Sequence, residues 1–255
     1  MSKTHAALIV LVSIVIALIV PSSCDFIAFY DAAQALLSGG NPYDVASYYS
    51  PISVAVLYMP LAVLPYDLAM RVNMALMVAV YLLVVARVFA GRLPLLIMAT
   101  PFTILIARYG NLESLVMLGA LLPATVGAWF VTLKPQLGLV AAAIMLYNGK
   151  HIKTGLAIVA MYAVSVALGM GSHTPVDAWW NISPFPYGLI IGLPLLYLAW
   201  RKRDALTAVG AAVFVTPYMS FITFVAAVPL FRFSKRLAII GAALSWAALI
   251  LWVRP

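Results

Sequence analysis

Apolar residues along the chain come in long blocks separated by short polar breaks. The blocks cover about 6–22, 52–65, 68–89, 94–107, 112–131, 136–149, 154–171, 187–200, 205–217, 219–231 and 237–252. The breaks fall at charges and at Gly, Pro and Asn clusters. Each block predicts a helix able to enter a membrane, eleven in all, with the N-terminus inside. Several are short, since a 14-residue helix rises about 21 Å against a hydrocarbon core of about 30 Å. Such helices are expected to be broken, to carry amphipathic ends or to sit in thinned bilayer. The blocks 205–217 and 219–231 predict two short helices meeting at Thr216-Pro217-Tyr218, or one kinked span. The predicted fold class is all-α: a polytopic transmembrane helical bundle of about 10–11 spans. The first block predicts an uncleaved span; the competing possibilities are a cleaved signal peptide, or a lipoprotein signal with Cys24 as the lipidated residue.

Between the first two blocks, at 22–51, the pattern changes. Phe26, Phe29, Tyr30, Ala33, Leu36 and Leu37 recur at three- and four-residue spacing, with Asp31, Gln34 and Ser38 off the stripe. This predicts an amphipathic helix lying in the outer interface. Gly39-Gly40 ends it and Asn41-Pro42-Tyr43-Asp44 is turn chemistry. A second outer loop, Gly171 to Tyr187, carries Trp179, Trp180 and Phe185, residues common at membrane–water interfaces.

Composition supports the bilayer. Hydrophobic residues make up 65% of the 255 and charged residues 9%, with a mean hydropathy of +1.09. Soluble domains hold about 45–50% apolar and about 25% charged residues. A soluble enzyme, a disordered chain and a disulfide scaffold are excluded on these grounds. The net charge of +8 requires no nucleic-acid partner, because basic cytoplasmic loops produce it. The eleven-span reading places 11 cations inside: Lys3, Arg71, Arg108, Lys150, Lys153, Arg201, Lys202, Arg203, Arg232, Lys235 and Arg236. It leaves 4 outside: Arg87, Arg92, Lys134 and Arg254, of which Arg87 and Arg92 fit worst.

Candidate chemistry gathers at the outer face. Asp25 stands where the chain leaves the first span. Ser22-x-x-Asp25 fits a capping box, and an acid at a helix N-terminus is held ionised by the helix dipole. That same state suits a general base for a hydroxyl. Lys134 lies between two apolar blocks, where a charge is costly without a role. Glu113 reads either as a helix cap at the cytoplasmic end, which the span order favours, or as an intramembrane acid facing a cavity. Three scattered histidines and dispersed acids predict no metal site, and no cofactor is expected.

A resemblance adds to this. The run from Asp25-Phe26 through Phe29-Tyr30, Ala32-Ala33 and Gly39-Gly40 to Asn41-Pro42-Tyr43-Asp44 resembles the first outer loop of the polyprenyl-phosphate-mannose-dependent mannosyltransferases. Those belong to the GT-C superfamily of integral-membrane glycosyltransferases. Tyr48-Tyr49-Ser50-Pro51, Tyr109-Gly110-Asn111, Leu133-Lys134-Pro135-Gln136 and Thr216-Pro217-Tyr218 resemble later steps of the same family. The resemblance implies a shortened member, with a seven-span module over 1–171 and a reduced C-terminal region over 172–255. It implies inverting transfer of mannose from a polyprenyl-phosphate donor to a lipid or glycan acceptor, at the extracytoplasmic face of the cell membrane. Asp25 would be the base. Lys134, Arg87 and Arg92 would hold the donor phosphate, and Tyr30, Tyr43, Gln136 and His173 would contact substrate. The alternatives are a small permease or lipid transporter, or a non-catalytic relative.

Overall fold

A computed structural model describes residues 3–21, 25–89, 94–171 and 181–253. All regular elements among them are helical. They are α1 (Lys3–Ile19), α2 (Asp25–Leu37), α3 (Ile52–Ala62), α4 (Tyr66–Val88), α5 (Pro94–Met98), α6 (Pro101–Tyr109), α7 (Glu113–Gly119), α8 (Ala124–Val131), α9 (Pro135–Gly149), α10 (Ile152–Ala167), α11 (Leu189–Lys202), α12 (Ala205–Val215) and α13 (Lys235–Val253). Short 3-10 turns cover Pro42–Asp44, and a long 3-10 helix covers Phe221–Phe233. Proline opens α5, α6 and α9, where a missing N–H costs nothing.

Among the described residues one helix, Tyr66–Val88, is by itself long and apolar enough to cross a membrane, with a hydropathy of 2.1 in its best window. The other apolar helices are shorter. The Phe221–Phe233 segment gains reach from its geometry. A 3-10 helix rises about 2.0 Å per residue, so these residues extend further than the same number in an α-helix.

The helices run between two ends, one carrying Asp25 and one strongly basic. α1 ends beside the start of α4: the Arg71 guanidinium donates to the carbonyls of Ala17 at 2.6 Å and Val20 at 3.1 Å. The whole segment from α2 to α3 therefore stays at the Asp25 end. α2 and α3 pair there, with the Tyr30 hydroxyl donating to the Leu64 carbonyl at 2.7 Å and the Gln34 amide to that of Ala62. α4 then runs to the basic end, and α5–α6 return, because Asn111 meets Asp25.

α7 and α8 form a hairpin that turns back on itself. Gly119 and Gly127 face each other so closely that a Cβ on either would strike the other's carbonyl, at 2.9 and 2.3 Å. A Cβ on Gly138 of α9 would lie 1.7 Å from the Val131 carbonyl oxygen. α9 runs to the basic end and α10 returns, where the Asn41 amide donates to Leu168 O at 2.9 Å. α11 descends and α12 rises beside it, with Gly188, which caps α11, and Gly192 within it against Phe214 and Val215. The 3-10 helix then descends from Thr223, next to Glu113, to Arg232, next to Asp204.

Three expectations are corrected. The block 52–65 does not traverse: α3 is tied to α2 by the tyrosine and glutamine bonds above. The block 112–131 is not one span but the α7–α8 hairpin. The blocks between them, 68–89 and 94–107, consequently run in the opposite sense. Arg71 and Arg108 lie at the Asp25 end, and Arg87 lies at the other. The errors cancel beyond residue 132, so the later elements keep the sense expected of them.

Candidate functional site at the Asp25 end

Asp25 is the first residue of α2 and is half-buried. Its Oδ2 accepts from Asn111 Nδ2 at 3.3 Å. The turn bearing Asn111 is fixed from behind. Gly110 adopts φ 58°, the left-handed conformation that closes α6, and its carbonyl accepts from Asn73 Nδ2 at 2.9 Å. A Cβ on Gly110 would meet that same amide nitrogen at 2.5 Å. The Tyr58 hydroxyl donates to Asn73 Oδ1 at 3.0 Å, which sets the amide's orientation. Asn111 Oδ1 accepts from the Leu112 amide at 2.8 Å, leaving Nδ2 aimed at Asp25.

The root of the α7–α8 hairpin brings Glu113 and Lys134 together as a salt bridge. The Glu113 side chain is 1% exposed and that of Lys134 14%. Thr223 Oγ1 also donates to Glu113 Oε1, at 3.2 Å. Glu113 Oε2 is buried without a hydrogen-bond partner. Both charges act on Asp25. Burial pushes its carboxyl above the ordinary value, the Lys134 ammonium pulls it down, Glu113 pushes it up, and the Asn111 bond pulls it down; the net direction is up. The Tyr218 phenol is also pushed up, by burial first and then by the nearby charges of Asp25 and Tyr49. The arrangement is a carboxylate of enhanced basicity, partly open, under the charge of a partly buried ammonium that is itself paired with Glu113.

The residues expected at the site are distributed as follows. Lys134, bonded to Glu113, acts on Asp25 through its charge. Gln136 lies two residues on, exposed, and its carbonyl accepts from Thr216 Oγ1 at 3.0 Å, which holds the Tyr218 turn beside the start of α9. Tyr30 and Tyr43 are at this end, but their hydroxyls are committed to Leu64 O and to Ser50 O, the latter at 3.2 Å. Their rings pack on Tyr66 and Tyr48, so both serve the scaffold of the loop. Arg87 is not at the site. It stands 16 residues beyond Arg71 on α4, about 24 Å along the axis at 1.5 Å per residue. Arg92 and His173, like Ser22, Cys24, Trp179 and Trp180, lie outside the described residues.

The favoured reading of Glu113 as a cytoplasmic-end cap is corrected: its carboxylate is buried and paired with Lys134, closer to the alternative of an embedded acid. The available signal was an acid and a base, 21 residues apart, each embedded in apolar sequence. Asn111 and Arg108 were hidden by the reversed sense of α5–α6. Arg108, exposed on the last turn of α6, is a cation at the Asp25 end that replaces Arg87 there. Among the described residues no three His, Cys, Asp or Glu side chains converge as metal ligands. Comparison with family models, with curated proteins and with solved structures gives no match for this chain.

Proposed function

We propose that the chain is a multi-pass membrane glycosyltransferase of the GT-C kind. It would transfer mannose, with inversion, from a polyprenyl-phosphate donor to a lipid or glycan acceptor. The observation that carries this reading is Asp25: a partly exposed carboxylate made more basic by burial, beside Lys134, at the end away from most cations. Asp25 takes the proton of the acceptor hydroxyl, whose oxygen attacks the anomeric carbon. The bond from that carbon to the phosphate oxygen breaks, and the polyprenyl phosphate leaves with the electron pair. The negative charge that develops on the phosphate is met by Lys134 and Arg108. A raised carboxyl pKa favours proton abstraction.

The membrane part of the proposal rests on the surface. Large apolar side chains are exposed along α1, α10, α11 and α13, among them Leu11, Ile19, Leu156, Val159, Ile190, Leu193 and Leu244. Exposed large apolar side chains in this number on four helices call for lipid to cover them. Orientation follows from charge. Arg87, Lys150, Lys153, Arg201, Lys202, Arg203, Arg232, Lys235 and Arg236 share the end opposite Asp25, so that end faces the cytoplasm by the positive-inside rule. Asp25 then faces outward.

The test is transfer from radiolabelled polyprenyl-phosphate sugars to a membrane lipid and glycan extract, comparing wild type with Asp25→Asn. The proposal expects sugar-labelled product with wild type and a loss of about 10²–10⁴-fold with the variant. Absence of product with every donor would overturn the enzyme reading, and undiminished transfer by the variant would remove Asp25 as the base.

A further inference from the structure

At the basic end, a cleft of about 630 Å³ opens between the end of α9, the start of α10 and the end of α11. Leu146, Tyr147, Lys150, His151, Ile152, Gly155 and Arg203 line it, and none of these is acidic. The nearby acid, Asp204, is committed elsewhere, to Arg232 and to Thr207. We infer that this cleft binds an anionic phospholipid, its phosphate between Lys150 and Arg203 and an acyl chain along Leu146, Ile152 and Gly155.

The backbone speaks for the two cations first. Lys150 has φ 52° and ψ 35°, and Arg203 has φ 55° and ψ 38°. Both are in the left-handed conformation that follows a helix, where glycine avoids the clash of a Cβ. The chain places glycine in this role at the end of α6, Gly110, and does not at α9 or α11. Both side chains are thus kept at a conformational cost, and both line the same cleft.

The walls select a lipid over a soluble phosphate. Tyr147 and Ile152 are each 71% exposed, so the cleft presents an open apolar flank that a headgroup alone would leave uncovered. Tyr147 stacks on Trp200, ring centroids 5.7 Å apart, and the pair joins α9 to α11 at this level. Aromatics of this kind favour the headgroup boundary. Gly155 brings α10 within ordinary contact of Leu146, where an added Cβ would stand 3.6 Å from Leu146 Cδ1. The His151 ring lies over Gly149 in the space a Cβ there would occupy, 2.3 Å from the ring. Apolar wall, paired cations and interfacial aromatics together describe a phospholipid site on the cytoplasmic side of a bundle. The inference uses the membrane part of the proposed function and is independent of the transfer chemistry.

The experiment is lipid retention by the full chain in nanodiscs containing phosphatidylglycerol and phosphatidylcholine, read by native mass spectrometry after release. Wild type is expected to retain phosphatidylglycerol over phosphatidylcholine. Lys150→Gln with Arg203→Gln should lower that occupancy about thirtyfold, a factor of about five for each cation. Lys150→Gly with Arg203→Gly should lower it equally while keeping the fold, since glycine suits both backbones. Lys235→Gln with Arg236→Gln, cations at the same end but outside the cleft, should leave it unchanged. Equal retention of both lipids would overturn the site. So would equal loss in the Lys235/Arg236 control, which would mean general surface charge, or full displacement by soluble glycerol phosphate, which would mean a free phosphate compound. Because transfer activity is measured separately with Asp25→Asn, failure here leaves the catalytic proposal standing, and the reverse holds.

Discussion

Asn111 Nδ2 donates to Asp25 Oδ2 at 3.3 Å, joining residues 86 apart in the sequence. The bond ties the end of α6 to the start of α2. It also supplies one of the two influences that favour the ionised form of Asp25, the other being Lys134. Asn111→Leu removes it. We expect the acidic limb of the pH–rate profile for transfer to move to higher pH, because the carboxyl then protonates more readily. An unmoved limb would mean that the amide merely packs.

Asp25 itself should carry a stability cost. Its folded pKa is raised above the ordinary 3.8, chiefly by burial, so the native state holds its proton more tightly than the unfolded chain. Stability contributed by that proton is present below 3.8 and lost as pH rises through the raised folded value. At neutral pH Asp25→Asn is therefore expected to stabilise the protein by about 1 kcal/mol while lowering transfer about 10²–10⁴-fold. Thermal unfolding in detergent at pH 7 and again near pH 4 measures it; the gain should shrink at the lower pH.

The Glu113–Lys134 pair should show strong coupling. Lys134→Met leaves a buried carboxylate without its counter-charge, an outcome that costs about 3–5 kcal/mol. Adding Glu113→Leu to that variant is expected to recover most of the loss, as an apolar replacement of both partners does. A double-mutant cycle by chemical unfolding reads the coupling. Additive losses would show that the two side chains do not act as a pair.

Close helix crossings give a contrast between two glycines. A Cβ on Gly138 would lie 1.7 Å from the Val131 carbonyl oxygen, backbone that cannot move without prising α8 from α9. Gly138→Ala is expected to destabilise by more than about 2 kcal/mol and to displace Lys134, four residues before it. At Gly155 the neighbour is a leucine methyl at 3.6 Å, and Gly155→Ala should be tolerated. Unfolding midpoints of the two variants make the comparison.

The corrected helix directions can be read by labelling. In a Cys24→Ser background, single cysteines at Arg71, Arg108 and Ser47 should react with a membrane-impermeant thiol reagent from one side. Cysteines at Arg87 and Lys150 should react from the other. Labelling of Arg87→Cys together with Ser47→Cys would restore the eleven-span reading.

At the basic end, Asp204 caps α12: its Oδ1 accepts from the Thr207 amide at 3.1 Å and its Oδ2 from the Thr207 hydroxyl at 2.7 Å and from Arg232. Burial pushes its pKa up, but the Thr207 bonds and Arg232 outweigh that and hold it below 3.8. Its contribution is present above 3.8 and is lost as pH falls through the lowered folded value. Asp204→Ala should cost about 2 kcal/mol at neutral pH, through the lost cap and a stranded guanidinium, and less in acid. Unfolding at both pH values checks it.

Local sequence determined much of this protein. Apolar blocks and their breaks located the helices, because burial patterning and proline or glycine stops act within a few residues. The stripe through Phe26, Phe29 and Ala33 foretold α2, and three of its members are buried against α3 and its neighbours. The clusters around Lys150, Arg203 and Arg232 were legible as one end of the molecule, since charge resists burial wherever the chain folds. Tertiary structure alone decided which blocks traverse. An apolar run of 14 residues has the same pattern whether it crosses, lies beside a neighbour or turns back. α3 stays with α2 because Gln34 and Tyr30 bond carbonyls at and just beyond its end, and α7–α8 folds back because Gly119 and Gly127 allow backbone to touch backbone. Those contacts join distant residues and leave no periodic signature. They moved Arg87 away from Asp25, brought Asn111, Arg108 and Glu113 to it, and turned Lys134 from a lone outer cation into half of a partly buried ion pair.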